Sequence, residues 1–455
     1  MSKNKRSTFS GKLGFVLSAA GASVGLGNIW RFPYLAAKYG GGIFLLVYII
    51  LALTFGYTMI MAETSLGRMT KKSPVGAYQS FGKSKWLSLG GWINAIIPIL
   101  IVPYYSVIGG WVIKYLIGYF SGQAQTLASD TYFSAFISNG ASTEICFIVF
   151  TFCTLGIIYA GVQNGIERVS KFMMPVLVVL SVIIAIYSVT RPGALEGVKY
   201  FLVPNPANFS WMTVVSAMGQ MFYSLSIAMG ILITFGSYMK KDVSIEGSTK
   251  NVEIFDTAIA IMAGLMIIPA VFAFSGGDPD TLQAGPSLMF ITLPKVFDSM
   301  GMGTFVGIMF FVLVLFAAMT SSIALTESAV STFEDELGWG RKKSTLIMGV
   351  IMLALGTLSS LGYGPLGAVK IIGMQFLDFF DFLTNSVMMP IAAITICLLV
   401  SRVIGVKAVE EEVMHGEAAF RRKKIFNFMI KYLCPVFAAI ILLSSVANAF
   451  GLISM

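Results

Sequence analysis

A short run of glycines, serines and polar residues stands inside the first long apolar stretch, between Gly21 and Pro33. The run reads GASVGLGNIWRFP and includes Asn28 and Arg31, which are unusual residues for a regular membrane helix. We expect the helix to break here, so that backbone carbonyls and amides lose their helical partners. Irregular backbone is tolerated at membrane depth only where protein or a cavity encloses it. Freed carbonyls bind cations and freed amides bind anions, so the run predicts a binding site.

A second interruption, YSLSIAMG from Tyr223 to Gly230, places Ser224 and Ser226 in another apolar stretch. Small residues in a membrane helix more often serve close helix packing, which is the competing interpretation of either run alone. Two interruptions at corresponding places in two halves of a chain instead favour paired broken helices. The site then lies between the halves, near the middle of the membrane.

The composition is that of a membrane protein built from helices. Hydrophobic residues make up 56% of the 455 residues, charged residues 12%, and the mean hydropathy is +0.82. A soluble domain has about 25% charged residues. A window of about 19 residues predicts eleven membrane spans. These predicted spans cover residues 12–37, 42–69, 87–120, 144–161, 166–190, 211–239, 252–275, 304–333, 344–362, 371–401 and 426–450.

The distribution of basic residues predicts a cytoplasmic N-terminus. Most of the 31 lysines and arginines then lie in the N-terminal tail and the inner loops, as the positive-inside rule requires. This distribution accounts for the net charge of +9 and removes the main support for nucleic-acid binding. The basic start leads into an apolar stretch that is too long for a cleavable signal peptide.

The predicted spans divide into two blocks of five. The first repeat covers residues 1–201, the second covers 202–402, and an inner loop with the eleventh span covers 403–455. Because five is odd, the second block begins on the opposite side of the membrane. The two blocks are therefore expected to form an inverted repeat, which is typical of secondary transporters.

The chain shows no pattern expected of an enzyme. No zinc, phosphate-loop, catalytic-triad or dinucleotide pattern stands in a supporting context, so no organic cofactor is predicted. Cys146, Cys153, Cys397 and Cys434 all fall in predicted spans, and we interpret them as buried apolar filler. Cys146 and Cys153 are separated by about 10 Å of helical rise, which is too far for a disulfide.

Longer motifs carry a family resemblance. The first run continues into AAKYGGGIF, and TSSIAL and FEDELG follow in the eighth predicted span. These motifs resemble the neurotransmitter:sodium symporter family over spans one to ten, and most closely its eleven-span bacterial members that carry hydrophobic amino acids. The resemblance implies an all-α integral membrane protein with a leucine-transporter-like inverted repeat and broken helices one and six. It also implies a sodium-coupled symporter of the bacterial inner membrane that works by alternating access, as a monomer or weak oligomer.

The resemblance implies two sodium sites built from oxygen atoms. One site would use the carbonyls of Gly21, Val24 and Ala317 with the hydroxyls of Thr320 and Ser321. The competing interpretation of these two hydroxyls is hydrogen bonding back to their own helix.

The other implied sodium site would use the Ser23 carbonyl, the Asn28 side chain, Ser224 and an oxygen of the substrate carboxylate. Gapless matching back from Pro269 places Phe255 where the leucine transporter has a sodium-binding asparagine, and a one-residue shift places Asp256 there. We prefer the shift, since a carboxylate inside a span costs at least about 2.5 kcal/mol and is usually functional. Asp256 would make transport chloride-independent and would be protonated on the return step. A carboxylate at the inner membrane edge is the competing interpretation.

The resemblance also implies the substrate class. Relatives that carry amines place an aspartate where this chain has Gly25, so the substrate is expected to bring its own carboxylate. The amides of Leu26 and Gly27, at a positive half-helix end, and the Tyr105 hydroxyl would hold this carboxylate. The carbonyls of Ser23, Tyr223 and Ser224 would hold the α-ammonium group. The matching wall around the substrate side chain consists of Ile101, Tyr105, Tyr223, Ser226, Met229, Ser321 and Leu325.

This mostly apolar wall favours leucine-like and aromatic amino acids. A sodium-coupled transporter of another zwitterion, such as an osmolyte or a small amino acid, is the first alternative. A transporter-like sensor or a channel is the second. Accumulation of substrate driven by a sodium gradient separates a symporter from a sensor or a channel.

The implied outer gate consists of Arg31 and Asp381, with Tyr105 and Tyr223 as the lid beneath them. Two opposite charges inside spans are most cheaply kept as a pair, so contact between Arg31 and Asp381 is expected. The lid would separate the substrate from the outer solution.

The implied inner gate pairs Arg6 with Asp335 and is supported by Tyr238. The competing interpretation of this pair is ordinary surface charge on the inner face. Gly165 and Pro175 in the fifth span have a spacing that related transporters use where this helix unwinds, and proline removes a helical hydrogen bond. A merely kinked helix is the alternative there.

Overall fold

The computed structural model of the chain describes residues 6–276 and 285–452. This part is built from helices, and the β-bridge between Ile371 and Met374 is isolated. In these ranges, nine helices are long and apolar enough to cross a membrane, and one bent pair passes the same test. A second broken pair lies at the position of the sixth predicted span. The number of eleven spans remains a prediction.

The helices follow the predicted spans closely. The largest difference at any one helix end is in α9, which begins at Ile245 rather than at residue 252. The long helices and broken halves are α1 Lys12–Ser23, α2 Gly27–Lys38, α3 Gly42–Thr70, α4 Lys85–Phe120, α5 Gly140–Tyr159, α6 Val162–Val189, α7 Trp211–Ser224, α8 Ile231–Tyr238, α9 Ile245–Ser275, α10 Gly303–Glu336, α11 Arg341–Leu361, α12 Phe376–Ile404 and α13 Lys423–Ala449.

The two predicted breaks are present, and they differ in geometry. The chain bends by 53° between α1 and α2. Between α7 and α8, Ser226, Ala228 and Gly230 have positive φ angles of 52°, 59° and 69°. A residue with a side chain at such angles costs roughly 1–3 kcal/mol, so the surroundings must hold it. The Ala228 N–H donates to Glu63 Oε1 at 2.7 Å, and the Ser226 hydroxyl donates to the Ala22 carbonyl at 2.8 Å.

The broken helices lie at the centre of the molecule. α1 packs against α6, α9 and α10, and α8 packs along α3. Every residue of α8 is buried, and so is α1 from Gly14 to Ser23. A helix that is apolar and covered on all sides belongs to the core. The two breaks therefore meet inside protein, as irregular backbone at membrane depth requires.

The cysteines fit the sequence prediction except at one position. Cys146, Cys397 and Cys434 are buried, whereas Cys153 is exposed on the surface of α5, so its interpretation as buried filler was wrong. Cys146 lies at the edge of the buried face of α5, with 8% of its surface exposed. A residue seven positions along an ideal helix is displaced by about 20° around the axis, so Cys153 falls just outside that face. All four thiols are free.

Candidate functional site

A small cavity of about 30 Å³ lies between the two breaks. Every residue predicted to bind substrate lines it, apart from Ser224. The lining residues are Ala22, Ser23, Gly25, Leu26, Gly27, Asn28, Ile101, Tyr105, Tyr223, Ser226, Met229, Ser321 and Leu325. Residues from four separate stretches of chain thus converge on one point.

Two glycines of the first break are required by their neighbours. A Cβ atom on Gly25 would lie 2.6 Å from Ser321 Oγ and 3.1 Å from the Tyr105 hydroxyl. A Cβ atom on Gly27 would lie 2.3 Å from the Tyr223 ring. Both distances to the nearest atom are shorter than van der Waals contact, so no larger residue fits either position without displacement of its neighbours.

The polar groups beside Gly25 suit a carboxylate. The Leu26 N–H donates to the Tyr105 hydroxyl at 3.3 Å, and the Gly25 N–H donates to Asn28 Oδ1 at 3.1 Å. These amides precede α2, where the helix dipole is positive. A substrate carboxylate could accept hydrogen bonds from the Tyr105 hydroxyl and from neighbouring amides here, because carboxylates accept and do not donate.

The predicted oxygen ligands of one sodium site converge between α1 and α10. Ser321 Oγ lies 3.4 Å from the Gly21 carbonyl oxygen and 3.5 Å from that of Val24. Thr320 Oγ1 lies 3.2 Å from the Ala317 carbonyl oxygen. This contact and the one at 3.0 Å to the Phe316 carbonyl both lie within α10, so the Thr320 hydroxyl bonds back to its own helix in this structure. Hard cations take such carbonyl and hydroxyl oxygens as ligands, so the set fits sodium.

The structure gathers the other predicted ion ligands around Asp256. The Asn28 amide nitrogen and the Ser224 hydroxyl each lie 2.8 Å from Asp256 Oδ1, and Tyr48 donates to Oδ2 at 2.9 Å. Asp256 has no exposed surface, whereas Phe255 is half-buried. The geometry therefore brings Asp256, and not Phe255, to Asn28. The Ser23 hydroxyl bonds to the Ala19 and Leu225 carbonyls, and the role of the Ser23 carbonyl as an ion ligand remains a prediction.

Asp256 lies well inside its helix and is completely buried. Because α9 begins at Ile245, Asp256 lies about 16 Å along the helix from its start. A fully buried carboxylate is retained only where polar partners or an ion compensate it. The structure supplies three neutral partners, and this arrangement can accept a cation.

Three buried polar residues of the site escaped the sequence prediction. Tyr48 contacts Asp256 and Ser224, the Gln220 amide donates to the Gly27 carbonyl at 3.0 Å, and Glu63 accepts from the second break. A signal existed for Glu63, because a carboxylate inside a predicted span is usually functional. Tyr48 and Gln220 carry no comparable signal in the sequence.

On the outer side, the expected contact between Arg31 and Asp381 was wrong for this structure. Among the described residues Arg31 forms no ion pair, and its guanidinium carbon lies 5.3 Å from the centre of the Tyr223 ring. Asp381 accepts instead from Tyr104 at 3.2 Å and from Asn385 at 2.5 Å. The physical reason is a cavity of about 550 Å³ that both charged side chains line, so that Asp381 is bound by Tyr104 and Asn385 and Arg31 stacks on Tyr223 instead.

Tyr223 separates the two cavities, because its ring lines both of them, whereas Tyr105 lines only the small one. The predicted lid thus has its two residues at different depths. Movement of Tyr223 would join the outer cavity to the small one.

At the predicted inner gate, the structure brings Arg6 and Asp335 together at 2.6 Å. The Arg6 guanidinium also bonds to Ser237 and Ser331 and lies 4.9 Å from the centre of the Tyr238 ring. The two charged side chains are 18% and 22% exposed, so they are not ordinary surface charges. These contacts attach the N-terminal segment to α8 and α10.

A lysine next to this pair has a shifted pKa. Lys71 follows α3 and donates to the Met239 carbonyl, just after α8. Burial, together with the nearby positive charges of Lys241 and Arg68, lowers the pKa of Lys71 to about 8. Part of the population is therefore neutral near that pH, which reduces the repulsion from the neighbouring cations.

The helix that was expected to unwind is continuous. Gly165 lies in the first turn of α6, where the Ile166 N–H donates five residues back to the Gly161 carbonyl at 3.1 Å. Pro175 lies within the regular part of the same helix. Unwinding between Gly165 and Pro175 thus remains a prediction about another state of the molecule.

Neutralising the inner pair should open the inner side. In Asp335→Asn the charge-assisted bond to Arg6 is lost. With the native cysteines replaced, we expect a single cysteine at Ser18 to react about tenfold faster with an impermeant maleimide in inside-out vesicles. Ser18 is buried near the middle of α1. The matched control is Asp242→Asn, at an exposed loop position. Equal labelling rates in the two variants would contradict a gating role.

Comparisons with known proteins agree with this geometry. The model of the sodium:neurotransmitter symporter family matches residues 6–134 and 131–452. An uncharacterized sodium-dependent transporter of Bacillus subtilis, YhdH, is 34% identical over the full length of both chains. Another from Haemophilus influenzae is 32% identical over 97% of this chain and 98% of its own.

A solved structure of MhsT in complex with L-phenylalanine is also similar. It is 36% identical, and the match covers 97% of this chain and 100% of that one with a TM-score of 0.87. These findings show a sodium-dependent, multi-pass membrane transporter of a small-molecule substrate rather than an enzyme.

Proposed function

Because the chain belongs to the sodium:neurotransmitter symporter family, we propose that it imports hydrophobic and aromatic amino acids together with sodium. The observation that carries this proposal is the small cavity at Gly25, which offers amides and a hydroxyl but no acidic side chain among its lining residues. An amine without a carboxylate would find no counter-ion there. The phenylalanine bound to the similar MhsT supports the same substrate class.

The cavity wall supports an apolar side chain. Ile101, Leu325 and Met229 are buried around it, and Tyr223 covers it. Met229 has an unbranched, flexible side chain that repacks around ligands of different shape. The cavity of about 30 Å³ must therefore expand to admit a side chain as large as phenylalanine, and movement of Met229 and Tyr223 provides the space.

Two sodium ions would be co-transported in this proposal. One would lie among the Gly21, Val24 and Ala317 carbonyls, and the other would lie among Asn28, Ser224, Asp256 and the substrate carboxylate. Because the second ion shares an oxygen with the substrate, each increases the affinity for the other, which is what coupling of two binding sites means.

Replacing Thr320 by valine tests the first ion site. The change exchanges a hydroxyl for a methyl group, and we expect the sodium concentration for half-maximal uptake to rise by about tenfold. Thr54→Val is the matched control, because Thr54 bonds back to its own helix at 2.7 Å and lies outside both cavities. If both variants shift the sodium dependence equally, back-bonding rather than ion binding explains Thr320.

Transport would be independent of chloride and coupled to proton movement in the opposite direction. The Asp256 carboxylate would supply the negative charge beside the sodium ion, and it would take up a proton when sodium leaves. A carboxylate buried among neutral partners is most cheaply returned through the membrane in its neutral form.

The proposed arrangement in the membrane follows the charge distribution. The N-terminus would be cytoplasmic in a bacterial inner membrane, and residues 1–201 and 202–402 would form the two inverted repeats. The protein would work by alternating access, with the inner pair and the outer cavity opening in turn.

The decisive experiment is uptake by purified protein in proteoliposomes. We expect an inward sodium gradient to drive accumulation of leucine, phenylalanine and similar amino acids above equilibrium, with chloride replaced by gluconate and internal pH followed by a dye. No accumulation of any amino acid in a sodium gradient would refute the central claim. If only betaine-like or small zwitterions compete for uptake, the substrate is such a zwitterion and not a hydrophobic amino acid.

A further inference from the structure

One buried carboxylate that no site above uses, that of Glu167, contacts the N-terminal segment. Glu167 lies in the first turns of α6 and is 2% exposed. Its Oε2 accepts the Ser10 N–H at 2.9 Å, and its Oε1 accepts the Ser10 hydroxyl. Lys171 lies 2.6 Å from the same carboxylate. Two hydrogen bonds to an ionised group are stronger than ordinary ones, so this is a firm attachment point.

The approach of Glu167 depends on a glycine in α1. A Cβ atom on Gly14 would lie 2.4 Å from the Glu167 carboxyl carbon. Without a side chain at Gly14, the carboxylate lies against the first turn of α1 and reaches past it to Ser10. α1 and α6 are thus in contact at the point where the N-terminal segment is held.

Further contacts hold the same segment. The Gln163 amide donates to the Thr8 carbonyl at 2.6 Å, and Lys240 donates to the Ser10 carbonyl at 3.0 Å. Gln163, Glu167 and Lys171 stand four residues apart, so they share one face of α6. That face is occupied by residues 8–10, which therefore cover the first turns of the helix.

These turns are also the irregular ones. Gly161, at the start of α6, has a φ of 94°, and the hydrogen bond from Ile166 spans five residues instead of four. Wide turns of this kind are rare in helices and frequently occur at functional sites. The helical turn that contains Gly165 is therefore intrinsically weak and is supported from outside by the N-terminal segment.

We propose that Glu167 is a positioning residue for inner opening: its carboxylate ties residues 8–10 to α6, so that release of this segment and unwinding at Gly165 occur as one step. The inference rests on the proposed alternating-access function. The Glu167 contact is a second attachment of the N-terminal segment, besides the Arg6–Asp335 pair, and it involves a different helix. When the segment leaves, the first turns of α6 lose the cover that residues 8–10 provide.

The test measures the two sides of the protein separately in sodium without amino acid. The native cysteines are replaced, and single cysteines are placed at Ser170, which is buried in α6, or at Ser386, which lines the outer cavity. In Glu167→Gln we expect impermeant maleimide to label position 170 about tenfold faster from inside and position 386 severalfold more slowly from outside. Glu167→Asp, which keeps the charge, should restore part of the wild-type rates.

The control variants distinguish loss of this specific attachment from a general loosening of the fold. Glu196→Gln removes an exposed acid elsewhere and should leave both rates unchanged. Unchanged labelling at position 170 in Glu167→Gln, or faster labelling at both positions, would overturn the proposal. The assay needs no transported substrate, so failure of amino-acid uptake would refute the proposed function while leaving this result intact.

Discussion

Replacing Gly25 by alanine should reduce amino-acid uptake by about 100-fold or more, because the added methyl group occupies the place proposed for the substrate carboxylate. The Cβ atom would lie 2.6 Å from Ser321 Oγ and 3.1 Å from the Tyr105 hydroxyl. Both groups belong to the proposed binding machinery, so the change acts twice. It blocks the carboxylate, and it displaces a hydroxyl that the first ion site uses.

The variant should lose substrate binding while its fold stays largely stable. We expect the affinity for leucine, measured by scintillation proximity, to fall below detection while the melting temperature changes by a few degrees, since overpacking costs about 1–3 kcal/mol. Gly156→Ala is the matched control, because a Cβ atom there meets nothing within 4 Å. Normal uptake by Gly25→Ala would show that the substrate carboxylate binds elsewhere.

Replacing Asp256 by asparagine should make transport depend on chloride. The side chain keeps its size, and Asn28, Ser224 and Tyr48 can still bond to its oxygen, but the negative charge beside the proposed sodium ion disappears. We expect uptake in gluconate to fall by at least about tenfold, because an uncompensated cation at this depth is costly. Adding chloride should restore a large part of it, by supplying an anion near the same position.

The same variant should lose the proton signal. Wild-type uptake is expected to move protons out of the proteoliposomes, and Asp256→Asn should carry amino acid in chloride without this change in internal pH. Asp298→Asn, at an exposed position, is the control for loss of an acid. Full activity of Asp256→Asn without chloride would refute the proposed role of this carboxylate.

The sequence predicted the helix breaks and the residues that line the small cavity better than it predicted the contacts around them. Glycine, serine and proline inside apolar stretches placed both breaks, because these residues weaken a helix wherever they occur. The resemblance then located the lining of the small cavity nearly completely. The uncertain register at Asp256 shows the limit: one residue along a helix turns the side chain by roughly 100°, and only the packing of α9 against α2 and α3 decides which face is inside.

What the sequence by itself determined are local properties: which segments are helical and apolar, where they break, and that position 25 carries no acid. What only the tertiary structure decided are the contacts between distant residues. Tyr48 reaches Asp256, Arg31 stays apart from Asp381, and Ser10 is held by Glu167. The physical reason is that a hydrogen bond or an ion pair depends on distances of a few ångströms, which packing sets and chain order does not.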